Sequence, residues 1–158
     1  MAEKALVTTT KKKKWESFEQ VLDWEAMMAP RLIKAFDLEI CLPINLMITD
    51  FDNPNTMGTT SVKKDENDDW YFLISISGNL LDKRDILPTM LHELVHAHCI
   101  SEALKPEVGK RSMLQIMTDC YNHKGIFAEK CQEIGFRGPF TATSAKPVLL
   151  KRLLELDI

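Results

Sequence analysis

The sequence has little of what marks several common classes of protein. It has few cysteines, and they form neither a Cys-x-x-Cys pair nor a regular series: Cys41, Cys99, Cys120 and Cys131. We therefore expect reduced thiols in a reducing compartment, with no disulfide framework and no zinc ribbon. No apolar run reaches the roughly 18 residues that a membrane span needs. No apolar segment follows the N-terminal basic block as it would in a secretory signal. The sequence thus predicts a cytoplasmic protein without a membrane partner.

An excess of positive charge is also missing. The formal net charge is −3 and the isoelectric point is near 5.8, which argues against a generally basic nucleic-acid binder but allows a local basic patch. With 158 residues, 45% of them apolar, the chain suits one globular domain with a sizeable core. We expect residues 14–158 to form that domain. Residues 1–13 are expected to be a flexible basic tail, with a phosphate-contacting arm as the alternative.

The hydrophobic pattern alternates between helical and extended periods. Pro30 interrupts or kinks the first helical segment, Asp85 is the expected N-cap of the second, and Gly135 is the expected C-cap of the fourth. The pattern predicts an α+β domain in which a small antiparallel sheet of about three strands packs against helices. The predicted helices cover residues 15–37, 85–104, 112–121, 124–134 and 147–158, and the predicted strands cover residues 39–50, 57–64 and 70–77.

The stretch that carries chemistry is His-Glu-x-x-His at residues 92–96, inside the second predicted helix. A helix turns by about 100° per residue. His92 and His96 therefore project from one face, one turn apart, and can bind a single metal ion. Glu93 lies beside that face, where its carboxylate can reach a water on the metal rather than the metal itself. The pattern is typical of zinc hydrolases.

A zinc site of this kind needs a third protein ligand. His98 lies two residues beyond His96 and points about 200° away from it, so we expect His98 to be a hydrogen-bonded structural residue. His123 can return over the metal helix from a loop or the start of the next helix, and it is the preferred ligand. Glu102, Asp119 and Cys99 are the alternatives, although buried packing is the preferred interpretation of Cys99.

Three protein ligands would leave one coordination position for water. Zinc lowers the pKa of such a water towards 7, and Glu93 can take its proton as general base and pass it to a leaving amine. The sequence therefore predicts metal-assisted amide hydrolysis. Tyr121 and Arg137 are candidates for stabilising the oxyanion, because they lie near His123 in the sequence.

With its flanking residues, the motif resembles the SprT-like metalloprotease family, whose animal members are called Spartan. The chain is most similar to the short stand-alone members from bacteriophages and bacteria, over about residues 36–145. The features that carry the resemblance are the strand at 74–77, the metal helix motif, His123 with Phe127 four residues later, and the segment 134–143, where a glycine follows the helix and Thr-Ala-Thr ends the segment.

The resemblance implies that His92, His96 and His123 bind Zn²⁺, that Glu93 is catalytic, and that the fold is a minimal zincin. It also implies a protein or peptide substrate that adds to an edge strand, either strand 70–77 or its hairpin partner. Because relatives act on proteins associated with DNA, DNA is a further candidate partner, in a bacterial or phage-infected cell.

The chain departs from the family pattern in two places. Family members often have Gly-His-Gly at the third ligand, whereas this chain has Asn122-His123-Lys124 with the glycine displaced to Gly125. The interval between His96 and His123 is also long, which predicts an inserted turn or helix within residues 105–121.

Two other functions stay open at this point. A non-catalytic module could keep a metal for folding, with Cys99 or Asp119 as a fourth protein ligand. Glu93 argues against this, because a structural site has no use for a carboxylate beside the metal. The third option is a metal-dependent hydrolase of a small amide, which the motif alone does not separate from a protease.

Overall fold

The computed structural model describes residues 7–8, 15–140 and 144–158, and within them the chain forms an α+β domain, as predicted. Its helices are α1 (Trp15–Ala35), α2 (Lys83–Ala103), α3 (Lys110–Tyr121), α4 (Ile126–Ile134) and α5 (Pro147–Glu155). Its strands are β1 (Val7–Thr8), β2 (Ile44–Thr49), β3 (Gly58–Lys64), β4 (Trp70–Ser77), β5 (Phe136–Arg137) and β6 (Ser144–Ala145). None of the helices in these ranges is long and apolar enough to cross a bilayer.

The main sheet has the strand order β1-β2-β4-β3. Strands β3 and β4 form the predicted antiparallel hairpin, with Gly58 opposite Ile76 and Lys64 opposite Trp70. Strand β2, however, pairs in parallel with β4, so the expectation of a purely antiparallel sheet is wrong. The apolar strand β4 takes the central position, while β3, which is rich in threonine and lysine, takes the edge. The chain reverses direction between β2 and β3 and again in the β3–β4 hairpin, so β4 runs in the same direction as β2.

Part of the predicted tail belongs to this sheet. Val7 and Thr8 pair in parallel with Ile48 and Thr49 of β2, so these two residues are not a free tail. The lysine run at 11–14 lies outside the described residues, as does the Thr-Ala-Thr segment at 141–143. The residues on either side of that second gap form a two-stranded antiparallel sheet from β5 and β6.

Helix α1 is continuous through Pro30, which decides between the two alternatives of one bent helix and two short ones. Helix α2 is the central helix of the core, and it begins earlier than predicted. Its N-cap is Asp82, whose Oδ1 accepts a hydrogen bond from the backbone N–H of Arg84 at 2.8 Å. The prediction of Asp85 as the N-cap is therefore wrong. Asp82 has the extended backbone of an N-cap, and Asp85 lies in the first turn, where its charge favours the positive end of the helix dipole.

Two side chains of α2 hold the segment that connects α1 to β2. The backbone N–H of Glu39 donates to Nδ1 of His98 at 2.7 Å, and the backbone N–H of Cys41 donates to Oγ of Ser101 at 2.9 Å. Burial lowers the pKa of His98, which favours the neutral ring that can accept this bond. The prediction that His98 is a hydrogen-bonded structural residue is confirmed.

Glu25 is an unusual residue in the core stripe of α1. Its side chain is only 1% exposed, and neither carboxyl oxygen has a hydrogen-bond partner among the described residues. Burial raises its pKa from 4.5 to about 8, because an ionised carboxylate would lose its hydration there. The folded chain therefore keeps a proton that the unfolded chain releases.

We expect Glu25→Leu to stabilise the protein, and to do so more at pH 8 than at pH 5. The stability that depends on the neutral carboxyl is fully present below about pH 4.5 and is lost as the pH rises to about 8, at up to about 1.4 kcal/mol per pH unit. Urea unfolding should show a free energy of unfolding about 2 kcal/mol or more above wild type at pH 8. The exposed Glu19 of the same helix provides the control, Glu19→Leu, which should change little. A Glu25→Leu variant less stable than wild type at both pH values would contradict this account of the core.

Candidate metal centre

The structure brings together the three histidines that the sequence selected. His92 and His96 project from one face of α2, and His123 comes from the turn between α3 and α4. One ring nitrogen from each lies within 4.8 Å of the others, and Nε2 of His96 is 3.2 Å from Nε2 of His123. The three side chains form a cluster that could bind a metal ion.

The donor set fits a divalent transition metal. Two nitrogens bound to one tetrahedral zinc at about 2.0–2.1 Å lie about 3.3 Å apart, close to the separation of His96 and His123. Burial lowers the pKa of His92 to about 4 and that of His96 to about 3, with a further contribution from the neighbouring imidazoles. Burial also lowers the pKa of His123. All three rings are therefore neutral near pH 7, which is the form that binds metals.

The turn that presents His123 contains two residues with positive φ, His123 and Gly125. Helix α3 occupies the long interval between His96 and His123, and after its end His123 takes a left-handed backbone with φ of 59°. Histidine tolerates this region better than bulky or β-branched residues do. Gly125 also has positive φ, and a Cβ there would lie 2.6 Å from Oδ2 of Asp119. The glycine is needed at 125, where the chain passes close to α3.

The alternative ligands lie elsewhere. Glu102 forms an ion pair with Lys105 at 3.0 Å, and Asp119 accepts a hydrogen bond from Gln115 at 2.9 Å. Cys99 is fully buried, in agreement with the packing interpretation. Within the described ranges, no cysteine or carboxylate joins the three imidazoles in a metal-binding group. Among the described residues, the candidate metal-binding group therefore consists of the three imidazoles.

The Phe127 ring contacts all three imidazoles. It stacks on His96 with centroids 4.2 Å apart, and it contacts His92 and His123 at 5.2 and 5.0 Å. Phe127 is fully buried in α4. The sequence marked this residue only through the resemblance. Its contacts show that it fixes the orientation of the rings.

Glu93 lies beside the cluster, against the edge strand β3. Glu93 is only 5% exposed. The Thr60 hydroxyl donates to Oε1 of Glu93 at 2.7 Å and also lies 3.0 Å from the backbone oxygen of Glu93. Burial raises the pKa of Glu93 to about 7, and the hydrogen bond from Thr60 opposes that increase. The carboxylate is thus held in one orientation by a neighbouring strand.

Gly58 is the second residue of β3 that the sequence analysis missed. A Cβ at this position would lie 3.0 Å from Cγ of Glu93 and 3.1 Å from its Oε2. Any larger residue would press on the carboxylate. The alternation of side chains along β3 could have pointed to both residues, because it places Gly58 and Thr60 on the same side of the strand.

A cleft of about 870 Å³ opens beside the cluster. The start of β3 and the turn before it line one side, and the other side includes Ile100, Met117 and Tyr121. Glu93 is the acidic residue of the lining, the three histidines are neutral, and the remaining lining residues carry no ionised side chain. Of the two candidates for stabilising an oxyanion, Tyr121 lies on this cleft with 82% of its surface exposed, whereas Arg137 lies in β5 outside the lining.

Comparison with protein-family models, with curated proteins and with solved structures finds no match to this chain. The resemblance to SprT-like proteases stays a prediction that rests on the residues named above.

Proposed function

We propose that this protein is a zinc-dependent peptidase. The observation that carries the proposal is the convergence of three neutral imidazoles on one point, with a buried carboxylate beside them in an open cleft. His92, His96 and His123 would hold Zn²⁺, which polarises a carbonyl group and makes a water more acidic.

Glu93 is the proposed general base. Its carboxylate takes the proton of the attacking water and then delivers it to the nitrogen of the leaving amine. Thr60 keeps one carboxylate oxygen hydrogen-bonded, so the side chain cannot rotate freely. Phe127 keeps the three imidazoles in place during this proton transfer.

The substrate is proposed to bind as an extended strand along β3. Strand β4 is central and has neighbours on both sides, so of the two strands named above only the hairpin partner β3 has an edge available in the described sheet. A peptide that pairs with β3 would pass directly beside Glu93, because Thr60 hydrogen-bonds that side chain and a Cβ at Gly58 would lie 3.0 Å from its Cγ. The length of the cleft lining, from residue 55 to residue 60 on that side, favours a peptide over a small amide.

Membership of the SprT-like family, a cytoplasmic location and a substrate associated with DNA are parts of the same proposal. Two basic residues that could otherwise contact DNA are engaged within the fold. Lys105 pairs with Glu102, and Arg152 donates to the backbone oxygen of Ala35. Lys110 and Arg111 are exposed on α3, the helix that also contributes to the cleft, and are the residues proposed to meet a phosphate backbone.

Proteolysis by the purified protein tests the function. We expect the zinc-loaded protein to cleave an unfolded protein such as casein, with or without single-stranded DNA. A zinc chelator should abolish cleavage, and added Zn²⁺ should restore it. A small anilide of a single amino acid should stay intact, and its hydrolysis in place of casein would favour the small-amide alternative. If zinc-loaded protein cleaves neither substrate under any of these conditions, the proposal is wrong.

A further inference from the structure

We propose that Cys120 is a positioning residue, whose thiol holds the His96 imidazole with Nε2 facing the metal position. The inference rests on the proposed metal centre. It assigns a role to a buried thiol that the mechanism does not otherwise use.

The two nitrogens of the His96 ring have different neighbours. Nε2 faces Nε2 of His123 at 3.2 Å, whereas Nδ1 lies 3.1 Å from Sγ of Cys120. A histidine that binds a metal through one ring nitrogen commonly donates its other N–H to a nearby acceptor, and that bond fixes the tautomer. Cys120 occupies the place of that acceptor.

The surroundings of the thiol favour this role. Sγ of Cys120 lies 3.8 Å from the backbone oxygen of His96, within reach of a weak S–H donor. When the thiol hydrogen points at that oxygen, the sulfur lone pairs are free to accept the Nδ1–H of His96. The tautomer that results leaves the Nε2 lone pair free for a metal.

The sulfur is held in a fixed place. Cys120 is the buried residue of α3, and it lies where that helix packs against α2. Its sulfur contacts both Nδ1 and the backbone oxygen of His96, which belongs to α2. Rotation of the Cys120 side chain would break these contacts, so its position is set by the packing of the two helices.

Cys120 is placed behind the ring rather than among the ligands. Its contact is with Nδ1, on the opposite side of the imidazole from the nitrogen that faces His123. The metal-binding group of the described residues accordingly contains the three histidines and not this thiol. The geometry thus distinguishes an orienting role from direct coordination.

Zinc affinity of the full-length protein tests the proposal, measured by competition with a chromophoric chelator. Cys120→Ala should weaken zinc binding by about 10–100-fold, the usual effect of losing such a partner. Cys120→Ser should keep most of the affinity, because a hydroxyl oxygen can also accept the Nδ1–H. The control is Cys131→Ala, which removes another fully buried thiol that lies outside the three-histidine cluster. Its zinc affinity should match wild type.

A second readout needs no variant. ¹⁵N chemical shifts of the metal-free wild-type protein should show His96 as the Nδ1–H tautomer. The Nε2–H tautomer would overturn the inference, as would Cys120→Ala binding zinc as tightly as wild type, or Cys131→Ala losing as much affinity. A wild-type protein that binds no zinc at all would instead overturn the proposed function.

Discussion

Replacing Glu93 with glutamine is expected to lower peptide hydrolysis by about 10²–10⁴-fold, the usual contribution of a general base. Glutamine has nearly the same size, which matters because the side chain lies so close to β3 that a Cβ at Gly58 would be 3.0 Å from Cγ of Glu93. Its amide oxygen can still accept the Thr60 hydrogen bond, but it cannot take a proton from water. The loss should therefore appear in kcat rather than in KM, in initial rates measured on zinc-loaded protein.

The matched control is Glu102→Gln, on the same helix. Glu102 pairs with Lys105 outside the cleft, so this variant should hydrolyse casein at the wild-type rate. Both variants should bind one equivalent of zinc, because neither removes an imidazole. A Glu93→Gln protein as active as wild type would contradict hydrolysis at this site, whatever the metal content.

Removing the third imidazole should have the second large effect. We expect His123→Asn to weaken zinc binding by about 10²-fold or more, since the roughly 10–16 kcal/mol of a zinc site is shared among about four ligands. Asparagine is the suitable replacement because it tolerates the left-handed backbone at this position, which alanine does not. Peptide hydrolysis should fall with the loss of zinc. Chelator competition measures the zinc affinity, and casein cleavage measures the hydrolysis.

His98 supplies the control for that variant. It lies two residues from His96, but its ring accepts a hydrogen bond from the backbone of Glu39. His98→Asn should cost stability, about 1 kcal/mol for the lost bond, and leave zinc affinity unchanged. The interpretation would be wrong if His98→Asn lost zinc while His123→Asn kept it.

The parts of the site that lie on one helix could be predicted from the sequence. The directions of His92, Glu93, His96 and His98 follow from the helical turn, which is a local property. His123 could be selected only by elimination and resemblance, because its position depends on a left-handed turn and on the packing of α3.

The contacts between distant elements could not be predicted. Thr60 and Gly58 lie beside Glu93 because β3 is at the edge of the sheet next to α2. A hydrophobic pattern does not determine strand order, so this position could not be predicted. The contact between Sγ of Cys120 and Nδ1 of His96 could not be predicted either, because it joins two different helices. The alternation in β4 was enough to predict the hairpin. It could not predict that β2 runs parallel to β4, because the alternation of side chains is the same in both strand directions.

The burial of Glu25 could not be predicted from its residue type. Glu25 lies on the core stripe of α1, where the helical period would place an apolar residue, yet a carboxyl side chain is normally expected in solvent. Only the packed structure shows that it is buried.

X-ray absorption on the zinc-loaded protein tests the central claim most directly, since it reads the ligands of the metal. We predict one zinc per chain with three imidazole nitrogens at about 2.0–2.1 Å and no sulfur at about 2.3 Å. A sulfur ligand, a fourth protein ligand, or fewer than three imidazoles would contradict a catalytic site built from His92, His96 and His123.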